Sequence, residues 1–204
     1  MGAATQAHDL GSGVLTPLVG RERALDAAAG LVLREDVRLV TLVGPPGIGK
    51  TRLALAVAAR LRAPTAAAAG GARPFADGVC LVPLAAVRDP ALVVPAIAQA
   101  LGISEERDPA PREGLRRYLR EKRLLLVLDN LEQVLPAAPE IVELLAAAPS
   151  VTVLATSRAA ASSRARGSPS RRRQMCATAA AFSGESAKPG WAARARATNS
   201  RTAS

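Results

Sequence analysis

Apolar and polar positions follow two rhythms along this chain. Four short runs are almost wholly apolar: residues 37–43 (VRLVTLV), 78–84 (GVCLVPL), 123–129 (RLLLVLD) and 151–156 (VTVLAT). Runs of that length, apolar at odd and even positions alike, are what strands buried on both faces require. Between them lie longer segments with helical spacing of apolar residues, predicting helices near 21–33, 49–62, 90–101, 111–121 and 138–147. Strand and helix alternate, which is the order of an α/β fold. The expected architecture is a three-layer αβα sandwich around a parallel sheet of about four strands. The Ala/Gly-rich stretch 63–74 reads as a loop, and no internal repeat is evident.

The pattern stops at Arg158. Residues 159–204 contain no Leu, Val or Ile, and so lack the apolar surface that offsets the entropy of ordering. The sequence therefore predicts a folded domain over 15–158, a disordered N-terminus over 1–14 and a disordered basic tail. Charge divides in the same way: of the net +10, residues 1–158 carry +2 and the tail +8. An abrupt change to Arg, Ala, Ser, Gly and Pro is what a GC-rich gene read out of frame gives, and a frameshifted fragment is the expected explanation. A genuine disordered tail that touches nucleic-acid phosphates is the alternative. Against that alternative, the tail offers Phe182 and Trp191 as its only aromatic platforms, and no helix-turn-helix pattern appears. The two cysteines, Cys80 and Cys176, fit neither a disulfide framework nor a zinc site. Neither a secretory signal nor an apolar run of membrane-spanning length is evident, so a soluble, cytoplasmic protein without membrane contact is expected.

The candidate chemistry begins at the end of the first strand. Gly44 to Thr51 reads G-x-x-x-x-G-K-T, a phosphate-binding loop, between a strand-like run and an Ala/Leu-rich helix without a breaker. Gly44, Gly47 and Gly49 permit backbone conformations and a close approach that a Cβ would obstruct. Loop amides and the helix N-terminus then present donors and a positive dipole end to a polyphosphate. Lys50 would reach the β/γ oxygens, and the Thr51 hydroxyl would ligate Mg²⁺. The whole loop (Gly44, Pro45, Pro46, Gly47, Ile48, Gly49, Lys50, Thr51 and Arg52) is the candidate nucleotide site of a P-loop NTPase, with ATP or ADP and Mg²⁺ as cofactors.

Such a loop needs an acidic partner at the end of a neighbouring strand to hold the metal. Five consecutive apolar residues, Leu124 to Leu128, lead into Asp129, the Walker B candidate. Many hydrolytic relatives of this fold place Glu next; here Asn130 stands there, and an amide cannot accept a proton from water. Glu132 is the nearest carboxylate. Whether it substitutes for the missing Glu or only begins a helix is open at this level. The last strand ends in Thr156-Ser157-Arg158, which puts two hydroxyls and a guanidinium at the same edge, and Arg158 is a candidate to sense the γ-phosphate.

Taken in order, PLVGRE (17–22), GPPGIGKTRLA, LLLVLDNLEQVL and VTVLATSR resemble the nucleotide-binding domain of STAND signalling ATPases, relatives of NB-ARC and AAA+ proteins. The resemblance is strongest to large ATP-binding bacterial transcription regulators of the LuxR and SARP type, and residues 75–103 are similar to the segment those proteins carry between their Walker motifs. It implies that Val19 and Gly20 contact adenine through backbone, and that Asp129 belongs to the Mg²⁺ shell. It also implies that Arg158 is the phosphate sensor and that hydrolysis is slow. DNA contact in that family belongs to a helix-turn-helix domain, which these residues do not contain; oligomeric state is not indicated. In the family's sheet order a fifth strand flanks the P-loop strand, so without it residues 37–43 are expected to be an exposed edge.

Overall fold

The structure, a computed structural model, describes residues 18–63, 73–103 and 111–158, and the backbone of 176–180. The chain runs α1 (Glu22–Val32), β1 (Leu39–Val43), α2 (Lys50–Arg62), β2 (Val79–Pro83), α3 (Val93–Ala100) and α4 (Pro111–Arg120). It continues with β3 (Leu125–Asp129), α5 (Ala138–Ala147), β4 (Thr152–Ser157) and β5 (Cys176–Ala180). The strands form one sheet in the order β2-β3-β4-β1-β5, and every neighbouring pair is parallel. The α/β fold and the four strands β1 to β4 match the sequence expectation. The predicted N-terminal disorder over 1–14 lies outside the described residues, as does the tail apart from 176–180.

Alternating residues of β3 show why both parities had to be apolar. Leu125 and Val127 join the core beneath α1 and α2, with Val40, Leu42, Leu53 and Val57. Leu126 and Leu128 join the core beneath α3, α4 and α5, with Ile97, Leu115, Leu119 and Ile141. All four β3 side chains are fully buried. Each is worth about 1.5–3 kcal/mol of burial, and truncating one to Ala would cost about 2–5 kcal/mol. α2 buries Leu53, Ala54, Val57, Ala58 and Leu61, a stripe at helical spacing whose alanines let the helix lie close to the sheet.

Several expectations are corrected. The acidic strand β3 is not next to the P-loop strand, because β4 lies between them. Nor is β1 an exposed edge: β5 runs along it from Leu39↔Cys176 to Val43↔Ala180. The tail had been read from its lack of large apolar side chains, whereas strand pairing is made by backbone groups that every non-proline residue carries. The helix expected over 90–101 begins as a 3-10 turn at Pro90–Leu92, with the Asp89 side chain accepting from the Ala91 amide. Glu132 does not begin an α-helix; it sits in a 3-10 stretch, Leu131–Ala137, that precedes α5.

Polar contacts tie the layers at the end of the sheet away from the P-loop. Arg38, just before β1, donates from Nε to the Val151 carbonyl at 2.7 Å and from Nη2 to the Leu145 and Ala148 carbonyls. A guanidinium thus caps the C-terminal carbonyls of α5, where the helix dipole is negative. Burial lowers the Arg38 pKa from its ordinary value, though an arginine stays charged. Cys80 faces the α3 side of the core and its burial pushes the thiol pKa up to about 11, so it holds no thiolate at neutral pH.

Candidate functional site

The carboxyl ends of the parallel strands lie at one edge of the sheet, which is where ligands bind in such folds. Val43 is level with Ser157, and Leu128 with Ala155, so Asp129 at the end of β3 stands opposite Thr156. From β1 the chain turns through the P-loop into α2. Gly47 and Gly49 have φ of 77° and 84°, the left-handed region that a side chain at these positions would strain. Gly49 is the N-cap of α2 and provides no side-chain cap, so the first helical amides are left to a ligand or solvent. The Gly44 amide donates to the Ser157 carbonyl at 3.3 Å, which fastens the start of the loop to β4.

Lys50 is the first residue of α2 and is only 8% exposed. Its ammonium bends back over the loop and donates to the Gly44 carbonyl at 2.8 Å and the Pro45 carbonyl at 2.9 Å. Beside it, the Thr51 hydroxyl donates to Oδ1 of Asp129 at 2.8 Å. The same oxygen accepts a second hydrogen bond, 2.6 Å, from the Thr156 hydroxyl. Thr156 in turn accepts from the Asn130 amide at 2.9 Å, and Asn130 takes a left-handed φ of 66° at the turn after β3. Glu132 and Arg158 form an ion pair, Oε1 to Nε 3.2 Å. The Glu132 side chain is 12% exposed and the Arg158 side chain 59%. The other Glu132 oxygen, Oε2, is buried and has no hydrogen-bond partner among the described residues.

These groups surround an open cavity of about 270 Å³ lined by Pro46, Gly47, Gly49, Lys50, Thr51, Arg52, Asn130, Glu132 and Arg158. Three cationic side chains and one carboxylate in that lining favour an anion. Thr51 and Asp129 offer hard oxygens 2.8 Å apart, a donor set that suits Mg²⁺ shared with phosphate oxygens. No cluster of three or more His, Cys, Asp or Glu able to cage a metal occurs among the described residues.

The structure thus brings together most of the residues the sequence singled out. Six of them, Val19, Gly20, Gly44, Pro45, Ile48 and Asp129, do not line the cavity itself; Asp129 meets it through its hydrogen bond with Thr51. Val19 is 88% exposed, and the Gly20 amide donates to Glu22 Oε1 at 3.1 Å. Their neighbour Arg21, which sequence reasoning passed over, does reach the loop: its Nη1 donates to the Ile48 carbonyl at 2.5 Å. Nothing in the local pattern distinguishes Arg21 from any arginine at a helix start. Thr156 had been noted only as a hydroxyl at a strand end; its contact with Asp129 depends on strand order.

A parallel sheet with a P-loop leading into a helix, and a threonine–aspartate pair beside the loop lysine, defines a P-loop NTPase. Residues 17–158 match the AAA ATPase domain family, and the chain belongs to it. A Mycobacterium tuberculosis protein named provisionally as an HTH-type transcriptional regulator, Rv0890c, is 41% identical over 122 residues, which cover 59% of this chain and 12% of that protein. Uncharacterized protein Rv0894 of the same organism is 36% identical over 144 residues, 70% of this chain and 34% of its own length. The chain therefore spans about an eighth of the length of the regulators it matches. Among solved structures, Drosophila ORC bound to DNA superposes with a TM-score of 0.53 at 17% identity, over 83% of this chain and 45% of that one, a likeness of fold alone. No helix among the described residues is long and apolar enough to cross a membrane.

Proposed function

We propose that residues 15–158 are the nucleotide-holding module of a STAND-type signalling ATPase, part of a larger bacterial transcription regulator of the LuxR or SARP type. The module binds ATP or ADP with Mg²⁺ and turns ATP over slowly. The observation that carries this reading is the meeting of Thr51, from the helix after β1, with Asp129, from the end of β3, beside the Lys50 ammonium. When bound, the metal supplies charge neutralisation and orientation of the phosphates. The chain's own residues do the rest. Lys50 exchanges loop carbonyls for phosphate oxygens, the first α2 amides donate to the anion, and Arg52 and Arg158 add positive charge at the wall.

Slow turnover follows from the residues that line the cavity. Asn130 lines the cavity and can orient water but cannot accept its proton. Glu132, the carboxylate in the cavity lining, is engaged by Arg158. The regulator assignment is supported by the 41% identity to the mycobacterial protein and by the run of motifs from PLVGRE to VTVLATSR. DNA contact would then belong to another domain of the whole protein. The test is calorimetric titration of ATP with and without Mg²⁺ into the wild-type chain and Asp129→Asn. The lost charge should weaken Mg·ATP by about 10- to 100-fold while leaving metal-free ATP within a few-fold. Equal losses for both, or none for either, would remove Asp129 from the metal site.

A further inference from the structure

Three consecutive residues at the end of β4 touch three separate parts of the site. Thr156 donates to Asp129 Oδ1 at 2.6 Å, the Ser157 carbonyl accepts from the Gly44 amide at 3.3 Å, and Arg158 pairs with Glu132 at 3.2 Å. Thr156 and Ser157 are both fully buried, whereas Arg158 is exposed. The Thr156 hydroxyl therefore has only protein to bond with, and its bonds to Asp129 and Asn130 both run to the turn after β3. One fixes the carboxylate that Thr51 also reaches; the other holds the amide of Asn130, whose left-handed backbone places its side chain on the cavity wall.

We propose that Thr156 is a positioning residue: through one hydroxyl it sets the direction of the Asp129 carboxylate and the backbone of Asn130, and so the strength with which the site takes a magnesium–nucleotide complex. This rests on the reading of the cavity as an Mg·ATP site. The geometry requires a hydroxyl on this β-branched side chain. A methyl in its place preserves shape, yet leaves a buried amide without an acceptor and a carboxylate with one donor fewer. Thr156 lies outside the cavity lining, so it acts only through Asp129 and Asn130.

The experiment is ATP titration, with and without Mg²⁺, of the wild-type chain, Thr156→Val, Thr156→Ser and the double variant Thr156→Val/Asp129→Asn. Thr156→Val should lose about 10- to 100-fold in Mg·ATP affinity, as orienting partners of metal ligands do, with metal-free ATP changed by less than about threefold. Thr156→Ser keeps the hydroxyl and should stay within about threefold of wild type. In the double variant, Thr156→Val should add nothing to the magnesium-specific loss of Asp129→Asn. Should Thr156→Val fail to fold, Thr156→Cys, with only a weak S–H donor, takes its place with the same expected order. Normal magnesium dependence in Thr156→Val, or losses that add fully to those of Asp129→Asn, overturns the proposal. A wild-type chain whose ATP binding ignores magnesium overturns the reading of the site itself, and the two failures are told apart by that one titration.

Discussion

Replacing Lys50 by Met removes the ammonium while keeping most of the aliphatic stem, and the structure limits how large the effect can be. A first estimate credits the ammonium with two new charge-assisted bonds to phosphate, each worth about 1.5–3 kcal/mol. Two such bonds would amount to about 3–6 kcal/mol. That estimate treats the ammonium as bonded to water beforehand. Here Lys50 is 8% exposed and already donates to the Gly44 and Pro45 carbonyls at 2.8 and 2.9 Å. Binding ATP therefore exchanges neutral acceptors for ionised ones, and only the difference appears in the affinity. The ammonium–carbonyl bonds given up are themselves charge-assisted, so the gain from the exchange is only about half of the first estimate, about 2–3 kcal/mol. The expected loss in ATP affinity is about 30- to 150-fold. Calorimetric titration of ATP into Lys50→Met measures it, with circular dichroism as the check on folding. An affinity within threefold of wild type would detach Lys50 from the phosphates. A loss beyond about 1,000-fold in a folded variant would show that the carbonyl contacts do not compete, and the exchange argument would be wrong.

Steady-state turnover of the purified chain should fall well below the ~1–100 s⁻¹ of dedicated phosphoryl-transfer enzymes, and Glu132→Gln should change it by no more than a few-fold; a drop of about 100-fold would identify Glu132 as the base. At Asp77, the amide of Arg123 and the ammonium of Lys122 hold the carboxyl below its usual pKa, the amide contributing most and partial desolvation opposing. A depressed carboxyl stabilises the fold above its unfolded pKa and loses that contribution as pH falls through the folded value. The Tm difference between wild type and Asp77→Asn should therefore be constant from about pH 6 to 8 and shrink below about pH 4; a difference unchanged down to about pH 3 would refute the assignment.

Local pattern carried what depends on local physics. The glycines of the P-loop occupy left-handed conformations at Gly47 and Gly49, and the apolar run of β3 ends at Asp129. Each follows from a steric or solvation rule acting on a few neighbouring residues. Strand order does not follow from such rules, so the placement of β4 between β1 and β3 was not legible, nor was the bond from Thr156 to Asp129 that it creates. β5 left no trace because Cys176–Ala180 (CATAA) lacks the large or β-branched run by which strands are recognised. Arg21 escaped because its partner, the Ile48 carbonyl, lies 27 residues away and accepts from any donor that reaches it. The helix-like run of 90–101 hid its own break, since a proline at the first helical position is compatible with either kind of turn.

The order of the strands also explains the composition of β4. Thr51 comes from the helix after β1 and Asp129 from the end of β3, so their 2.8 Å contact has to span the carboxyl end of the strand between them. β4 is apolar and branched where it enters the sheet, at Val153 and Leu154, but closes with Ala155, Thr156 and Ser157, all buried. A large side chain at Thr156 would fill the space in which Thr51 meets Asp129. A small apolar one would leave Oδ1 and the Asn130 amide without their shared partner. Threonine satisfies both demands, since its side chain is small enough to be fully buried there and its hydroxyl bonds to the turn after β3. The chain then leaves the sheet at Arg158, the first exposed position, where a long cationic side chain can reach Glu132 from outside the buried layer. Burial thus changes over three residues from core to rim. The polar groups follow the same sequence, from the Thr156 hydroxyl bonded to Asp129 to the Arg158 guanidinium that meets solvent and Glu132.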